Sequence, residues 1–550
     1  MISVLCNEGE REIAREFFEL FKTPWEFFVP GRTYPVIIST RPETPELEAR
    51  LLIVFSSKPT TFDDREGILV GPAASDHLLI KPSTRIPIYG NLASFREQGQ
   101  PATCDSGDSD TVALKVTEPH ANVLRVGYDL FGEVAFLLSE GQPAENAPIP
   151  TLEHHISLLR NWILDAGIPV VEIPPIPQGH TFIACLTHDV DFVGVRRHRL
   201  DRTFWGFVYR ALVGSAVGYL SGRSSLRRLA KNWTAIASLP LVYLGLIEDF
   251  WDQFETYAEL DQRFSSTFFL IPFKNRVGTN LHAPFPRRRA VHYDICDVRE
   301  KVDMLTQLGY EIGLHGIDAW HSAEEGRQEL ARIREVTGQT DIGVRVHWLC
   351  FDRHSPEALA QAGFCYDSSF GYNETVGFKG GTTQAFRPLG LTRLLELPLH
   401  IQDTALFFPG RLGLTDTQAW DLCAPVIDAT VQRGGVLTIL WHMRSLAPER
   451  LWGDFYLQLQ QDLQNRGAWF GTARQVVQWF RRRRAVVFED CHVDEDTVRL
   501  RLENGGCGPE ARLFLRVHRP RKIEPASGHA APAYFDVPWD GQPSLEISLR

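Results

Sequence analysis

The chain has 550 residues, a formal net charge of −11 at pH 7 and a hydrophobic content of 44%. This length predicts about three domains with an ordinary globular core, and the negative charge argues against a nucleic-acid partner. The nine cysteines form no C-x-x-C pair and are odd in number, which favours a reducing compartment. The amino terminus turns acidic at Glu8 and lacks an apolar signal-peptide core. A cytoplasmic location is therefore expected.

The first predicted domain covers residues 1–150. Its short strands, at 35–39, 51–55 and 67–70, are bounded by Pro, Gly and Ser and follow an amphipathic helix. This pattern predicts a separate α/β domain, and no chemical motif stands out in it. Pro-rich links then lead into a second domain, predicted at 151–480.

A buried strand that ends in two carboxylates is the most informative feature of the sequence. Residues 181–188 form an apolar, strand-like run, and Asp189 and Asp191 follow it two positions apart. Residues i and i+2 of a strand lie on the same face, so both carboxylates are expected in one site at the C-terminal end of this strand. Two carboxylates this close repel each other unless a cation or a shared proton relieves them. The pair therefore predicts a metal site or a general base with a perturbed pKa.

An unusual insertion follows these carboxylates, at about residues 199–249. It holds two apolar, helix-like runs, at 204–220 and 229–246, with Arg and Lys on their flanks. The first run is too short and too interrupted by Gly to predict a membrane span. Two interpretations remain open. The insertion is either a helical hairpin packed beside the active site, or a peripheral membrane contact in which the 204–246 helices face anionic lipid headgroups.

In three later segments, a basic side chain lies within or at the end of a short apolar run. His315 ends one run, with Asp318 three residues further on, and Arg345 lies on the next run. His442 follows a strongly apolar run near the end of the second domain. Since strands alternate with helices throughout this domain, we expect a parallel sheet. Short alternating strands between turn residues then predict a small all-β domain at 485–550.

The order of these side chains resembles the polysaccharide deacetylase (NodB-homology, carbohydrate esterase family 4-like) family over roughly residues 178–480. The residues that carry the resemblance are Asp189, Asp191, His315, Arg345 and His442. The resemblance implies an α/β fold class, with a distorted (β/α) barrel between the N-terminal α/β domain and the small C-terminal all-β domain. It also implies that the first acid is the catalytic base and that the second binds a divalent metal with two His of an H-x-x-x-H motif.

One position departs from the family pattern. The second metal-binding His should lie four residues after His315, and Ala319 is found there. On a helix, Asp318 would share nearly the same face as His315, whereas His321 would point away. We therefore expect Asp191, His315 and Asp318 to hold the metal, with zinc as the first candidate. This set is richer in oxygen than the usual one, so weaker zinc binding, another divalent ion or no metal remain open.

The expected reaction is hydrolysis of a non-peptide amide C–N bond, by N-deacetylation of an N-acetyl sugar or polysaccharide precursor. Asp189 is expected to take the proton from water, and Arg345 to orient it. His442 is expected to protonate the leaving amine. Asp403, at a strand end between Arg345 and His442 in the sequence, is the first candidate to orient His442. Asp367 is the second candidate.

Other assignments are left open. His347 and His400 are predicted to be packed rather than catalytic. A non-catalytic, deacetylase-like domain that binds a glycan or an assembly partner is one alternative, and Ala319 supports it best. A metal-independent hydrolase of another C–N bond is the other. A carbohydrate is the expected substrate in the main interpretation, and the oligomeric state is not predicted.

Overall fold

The computed structural model describes residues 1–43, 47–71, 77–81, 84–96, 100–101, 105–106, 110–117, 122–222, 225–279, 289–494, 496–503, 511–520 and 533–549. The chain divides into two compact units. The first unit comprises Met1–His180, Gly380–Gly390 and Gln478–Arg550, and the second comprises Thr181–Lys379 and Leu391–Val477.

The amino-terminal part of the first unit mixes helices with strands, as predicted. Its helices are α1 (Arg11–Phe21), α2 (Thr61–Glu66), α3 (Leu130–Ser139) and α4 (Thr151–Asp165). Its strands are β1 (Ile2–Leu5), β2 (Trp25–Phe27), β3 (Tyr34–Ser39), β4 (Ala49–Phe55), β5 (Leu69–Val70), β6 (His77–Lys81), β7 (Thr84–Ile88), β8 (Phe95–Arg96), β9 (Gln100–Pro101), β10 (Asp105–Ser106), β11 (Asp110–Thr111), β12 (Ala113–Thr117), β13 (Asn122–Val126) and β14 (Val170–Glu172). One sheet has the order β2-β1-β3-β4-β13-β12-β9, and a second has the order β5-β8-β11-β10-β6-β7.

The second unit holds a long parallel sheet surrounded by helices. Its strands are β15 (Phe182–Val190), β16 (Ser266–Leu270), β17 (Glu311–Gly316), β18 (Val344–Val346), β19 (Tyr366–Asp367), β20 (Leu395–Glu396), β21 (Ile401–Gln402), β22 (Val436–Leu440) and β23 (Ala468–Phe470). Its helices are α5 (Arg202–Tyr209), α6 (Ser215–Leu220), α7 (Leu226–Tyr243), α8 (Phe254–Leu260), α9 (Arg299–Gln307), α10 (Ala323–Thr337), α11 (Ser355–Ala362), α12 (Asp403–Phe407), α13 (Asp416–Arg433) and α14 (Gly453–Asn465). Helix α15 (Ala473–Ala485) leads out of this unit.

The C-terminal segment is β-rich, as expected, but its strands form two separate sheets. They are β24 (Val487–Val493), β25 (Thr497–Glu503), β26 (Phe514–His518), β27 (Tyr534–Pro538) and β28 (Ser544–Ser548). Strands β24, β25 and β28 pair with one another, whereas β26 pairs with β27 and with β14. Strand β14 precedes the parallel sheet in the chain. The second sheet of the C-terminal segment therefore includes a strand from outside residues 485–550.

The parallel sheet of the second unit curls into an incompletely closed barrel. The strand order is β20-β19-β18-β17-β16-β15-β22-β21, and β23 also pairs with β15. Strands β20 and β21 lie at opposite ends of this order, yet only residues 397–400 connect them. The Leu397 N–H donates to the Asp367 carbonyl on one side, and the His400 N–H donates to the Thr438 carbonyl on the other. This short connection draws the two edges of the sheet together and brings the strand ends close to one another.

Burial on both faces explains why β15 has so few polar residues before its C-terminal end. Every residue of β15 is buried, as is usual for a strand of a parallel sheet covered by helices. Phe182, Leu186 and Val190 pack into the main hydrophobic core of the unit. The opposite face, which carries Thr187 and Asp189, points towards Arg345.

The insertion is helical, as predicted. Helix α5 continues through a π-helical turn, Arg210–Gly214, into α6, and α7 runs back beside them. In the described part of the chain, no helix combines the length and the hydropathy that are needed to cross a bilayer.

Gly343 provides a test of how β18 packs against β19. An added Cβ there would lie 1.9 Å from the nearest ring carbon of Tyr366, whose hydroxyl donates to Glu311 at 2.9 Å. The ring is fully buried and cannot move aside, so we expect Gly343→Ala to lower the free energy of unfolding by about 3 kcal/mol through overpacking. Urea unfolding followed by circular dichroism measures this change.

Gly214→Ala is the matched control, because its Cβ would meet nothing closer than 3.9 Å. We expect that variant to change the free energy of unfolding by less than about 1 kcal/mol. Equal stability of the two variants would contradict the packing of β18 against β19.

Candidate metal and catalytic site

Four strands of the curled sheet contribute five side chains to one site. β15 supplies Asp189 within the strand and Asp191 just after it, and β17 supplies His315. β18 supplies Arg345, and His442 follows β22. Since neighbouring parallel strands end at the same edge of a sheet, these groups meet although they are far apart in the chain.

Three of the ligand-type side chains converge on one point. Asp191 Oδ1 lies 3.3 Å from His315 Nε2 and 3.3 Å from His347 Nε2. The three atoms lie within 4.8 Å of one another. Asp191 Oδ1 is buried and has no hydrogen-bond partner among the described residues. A buried carboxylate oxygen without a donor is costly unless a cation satisfies it.

The donor set suits a divalent metal. His315 Nδ1 lies 2.9 Å from the Arg345 carbonyl, so its N–H donates there and its Nε2 lone pair is left facing Asp191. Ligand atoms around a tetrahedral zinc lie about 3.3 Å apart, given metal–ligand distances of about 2.0–2.1 Å. The two observed carboxylate–imidazole distances match this spacing, so the residues fit such an ion.

The charges of the group favour the states that bind a cation. Burial alone would raise the pKa of Asp191, but His347 and His315 lower it well below its ordinary value. Burial lowers the pKa of His347 to about 4, although Asp191 opposes this shift. Asp191 is thus a carboxylate at neutral pH and His347 a neutral imidazole with a free lone pair.

Asp189 lies next to this group and is fixed by Arg345. Its Oδ2 is 3.7 Å from His315 Nε2, and its Oδ1 accepts from Arg345 Nη1 at 3.3 Å. The fully buried guanidinium also donates to Thr187 Oγ1, to the Ser368 carbonyl and to Ser368 Oγ. With its donors shared between β15 and the segment after β19, Arg345 cannot turn away from Asp189.

His442 faces the group from the other side and is held by Asp403. His442 Nδ1 is 2.6 Å from Asp403 Oδ1, and His442 Nε2 is 3.8 Å from Asp191 Oδ2. Asp403 also accepts from the His442 backbone N–H at 2.7 Å and from the Ser445 hydroxyl. Burial would lower the pKa of His442, but Asp403, followed by Asp191 and Asp189, raises it to about 9.

The structure places Asp318 outside this group. Residues 317–321 form a turn rather than a helix, because the buried Glu329 carboxylate accepts from the Ile317 and Asp318 backbone N–H groups at 2.9 and 2.7 Å. The Asp318 side chain then accepts from the Thr279 N–H at 2.7 Å and pairs with Arg276 at 3.3 Å. His321 contacts Asp318 at 3.2 Å and is likewise absent from the group.

His347 lies in the group where Asp318 was expected. It follows Arg345 by two residues, as Asp191 follows Asp189, and this spacing was a signal that could have found it. The polar residue at i+2 of a strand that carries one site residue lies on the same face. His400, by contrast, is packed: its Nδ1 accepts from the Thr438 N–H at 3.1 Å.

Asp367 does not orient His442. Its Oδ1 accepts from Ser369 Oγ at 2.5 Å, and it lies beside Glu396 in the β19–β20 register. Burial raises the pKa of Asp367 to about 6. Burial and the neighbouring Asp367 carboxylate raise the pKa of Glu396 well above its ordinary value. The Asp367 side chain is thus bound to Ser369 rather than to His442.

Comparison with known proteins gives distant structural likenesses only. No family model and no curated protein sequence matches the chain. Among solved structures, a protein from Mycobacterium smegmatis described as a polysaccharide deacetylase has a TM-score of 0.33 at 18% identity, covering 56% of this chain and 94% of its own. Puue allantoinase has a TM-score of 0.33 at 10% identity, with 56% and 92% covered. A Pseudomonas aeruginosa PAO1 protein described as a polysaccharide deacetylase has 0.33 at 14%, with 56% and 94% covered. Likeness at this level does not decide the function.

The geometry predicts that His347, rather than Asp318, is the third protein ligand. His347→Ala should weaken zinc binding by about 100-fold, because it leaves only Asp191 and His315. Competition titration with a chromophoric chelator measures the affinity.

Asp318→Asn is the control and should leave the affinity for zinc unchanged, since its side chain is engaged by Thr279 and Arg276. His321→Ala should also have no effect. If Asp318→Asn loses zinc while His347→Ala retains it, the third ligand is Asp318 and the assignment of His347 is wrong.

Proposed function

We propose that this chain is a metal-dependent hydrolase of a non-peptide amide C–N bond, and that it removes the acetyl group from an N-acetyl sugar or a polysaccharide precursor. The observation that supports this most strongly is the unpaired Asp191 Oδ1, 3.3 Å from two imidazole nitrogens. A carboxylate lies on one side of that group and an imidazole on the other, as hydrolysis of an amide requires.

The carboxylate side of the group supplies the base. Asp191, His315 and His347 would hold a divalent cation, which when bound polarises the amide carbonyl and acidifies a water. Asp189 is beside this point and accepts the proton that water loses as its oxygen attacks the carbonyl carbon. Arg345 keeps the Asp189 carboxylate in place during this transfer.

The imidazole side supplies the acid. An amine leaves poorly as an anion, so the nitrogen must be protonated as the C–N bond breaks. The pKa of His442 is raised to about 9, so its imidazole carries a proton at neutral pH. Asp403 holds Nδ1, which leaves the Nε2–H of His442 to face the site. The proton passes from Nε2 to the amine, and the products are acetate and the free amino sugar.

An aromatic side chain next to the proposed metal ligands supports a sugar as the substrate. Trp348 directly follows His347 and has a left-handed φ of 67°, a conformation that costs free energy for a residue with a Cβ. Its indole is 38% exposed and offers an apolar face on which a sugar ring can pack. The motif order that resembles the deacetylase family supports the same class of substrate.

Acetate release from a panel of N-acetylated sugars and their nucleotide-linked forms tests the proposal. We expect turnover of at least one substrate, loss of turnover after chelation, and recovery with zinc. Asp189→Asn should lower kcat by about 10² or more and should retain the zinc content of the parent, because Asp189 is not a ligand.

Three results would contradict this proposal. Asp189→Asn with turnover within a factor of about two of the parent would remove Asp189 as the base. A zinc-loaded protein that binds the sugars and releases no acetate would favour the non-catalytic, glycan-binding alternative. Turnover that survives complete removal of metal would favour the metal-independent hydrolase.

A second prediction separates the acid from the rest of the site. His442→Gln should lower kcat/KM for the amide by about 10² or more. It should affect para-nitrophenyl acetate much less, because nitrophenolate leaves without a proton. The ratio of the two kcat/KM values is the measurement.

His400→Gln is the matched control, a buried imidazole of the same unit whose Nδ1 accepts from the Thr438 N–H. We expect the amide-to-ester ratio of that variant to equal that of the parent. If His442→Gln slows both substrates equally, His442 is a structural or ligand residue rather than the acid.

A further inference from the structure

The insertion presents an apolar outer face that nothing in the site explains. Of the 24 large apolar side chains that are exposed in the described part of the chain, 14 lie between Leu200 and Ile247. Leu220 is 83% exposed and Leu244 is 72% exposed. Trp205 and Trp233 are also exposed. Single exposed apolar residues are ordinary, but a concentration of them in one segment marks an interaction surface.

This outer face is not an effect of loose packing, because the inner face of the same helices is well buried. Phe207, Ala235 and Val242 form a core with Val195 and Trp251. The inner face of α5 and α7 is therefore buried, as in an amphipathic hairpin. The face turned to solvent, which would ordinarily be polar, also carries apolar side chains.

The hairpin is tied firmly to the barrel. The Asp249 carboxylate accepts from the backbone N–H groups of Val195 and Arg196 at 2.9 and 3.0 Å. Arg228 donates to the Arg450 carbonyl at 2.8 Å, and the Arg444 guanidinium lies 3.8 Å from the centre of the Trp251 ring. These contacts fix the apolar face in position, so it cannot bury itself by folding back.

The charge of the insertion is opposite to that of the chain. Residues 199–249 contain seven Arg or Lys and three acidic residues, Asp201, Glu248 and Asp249, in a protein of net charge −11. Arg199, Arg202, Arg227 and Lys231 are exposed. Basic side chains around exposed Trp, Tyr and Leu are the composition of a helix that lies in the interface of an anionic bilayer.

We propose that the outer face of residues 200–247 binds the surface of an anionic lipid bilayer, with its apolar side chains in the headgroup region and its basic side chains on the lipid charges. A second copy of the chain is a poorer occupant. A symmetric contact would place the same basic residues of both copies against each other. This proposal does not depend on the hydrolysis proposed above.

The position of the hairpin gives the binding a consequence. The insertion leaves the barrel after β15, at the strand end that carries Asp189 and Asp191. Its Phe207 packs with Trp251, which in turn lies against Arg444, two residues after His442. A bilayer bound to this face would thus lie at the end of the barrel where the site lies.

Co-sedimentation with vesicles tests the proposal on the full chain. We expect binding to vesicles of phosphatidylcholine with phosphatidylglycerol at low salt, and weaker binding at high salt and to phosphatidylcholine alone. Leu220→Ser combined with Leu244→Ser should lower the partition coefficient by at least about tenfold through lost apolar burial. Arg227→Glu combined with Lys231→Glu should lower it by at least about tenfold through charge.

Leu308→Ser combined with Leu457→Ser is the matched control, since both side chains are exposed and lie outside the insertion; binding should not change. Circular dichroism confirms that each variant folds. The proposal is overturned if the parent stays in the supernatant with anionic vesicles at low salt, or if the insertion variants bind as the control does. A concentration-dependent dimer that is lost in Leu220→Ser/Leu244→Ser, without vesicle binding, would assign the face to a second copy.

Discussion

Three lone-pair atoms meet at one buried point in this protein, and the rest of the site is arranged around that fact. Asp191 Oδ1, His315 Nε2 and His347 Nε2 cannot satisfy one another without protons. The pKa of Asp191 is held well below its ordinary value, and that of His347 is lowered to about 4. A divalent cation would satisfy all three atoms at once. The catalytic roles given to the neighbouring side chains follow from that requirement.

The barrel explains how groups from distant parts of the chain reach this point. In-register parallel strands place His315 next to Arg345, and the two-residue repeat places Asp191 beyond Asp189 on the same face. Residues 397–400 join the two edges of the sheet and deliver Asp403 to His442. Because Arg345 binds groups from β15 and from the segment after β19, Asp189, the proposed base, is fixed by the curl of the sheet as well as by its own strand.

Much of this arrangement could be predicted from the sequence, and the failures have physical causes. The acid pair and the strand-end histidines follow apolar runs, and strand ends of a parallel sheet must gather at one edge. Helix α10 begins after the N-cap Ser322 and ends at the C-cap Gly338, residue types that favour these positions. The third ligand that we propose, His347, could not be derived from helix geometry, because the Glu329 carboxylate accepts from the backbone after His315 and makes a turn there. That contact is long-range, and no local pattern encodes it. The exposed outer face of the insertion was equally out of reach, since an apolar run does not show which of its faces is covered.

The central claim is that Asp191, His315 and His347 bind one divalent ion. X-ray absorption at the zinc edge of the zinc-loaded protein tests it most directly, because imidazole ligands give a distinct multiple-scattering pattern. We expect oxygen and nitrogen ligands that include two imidazoles in the parent, and one imidazole in His347→Ala. A parent spectrum with a single imidazole, or a protein that takes up no zinc, would contradict it.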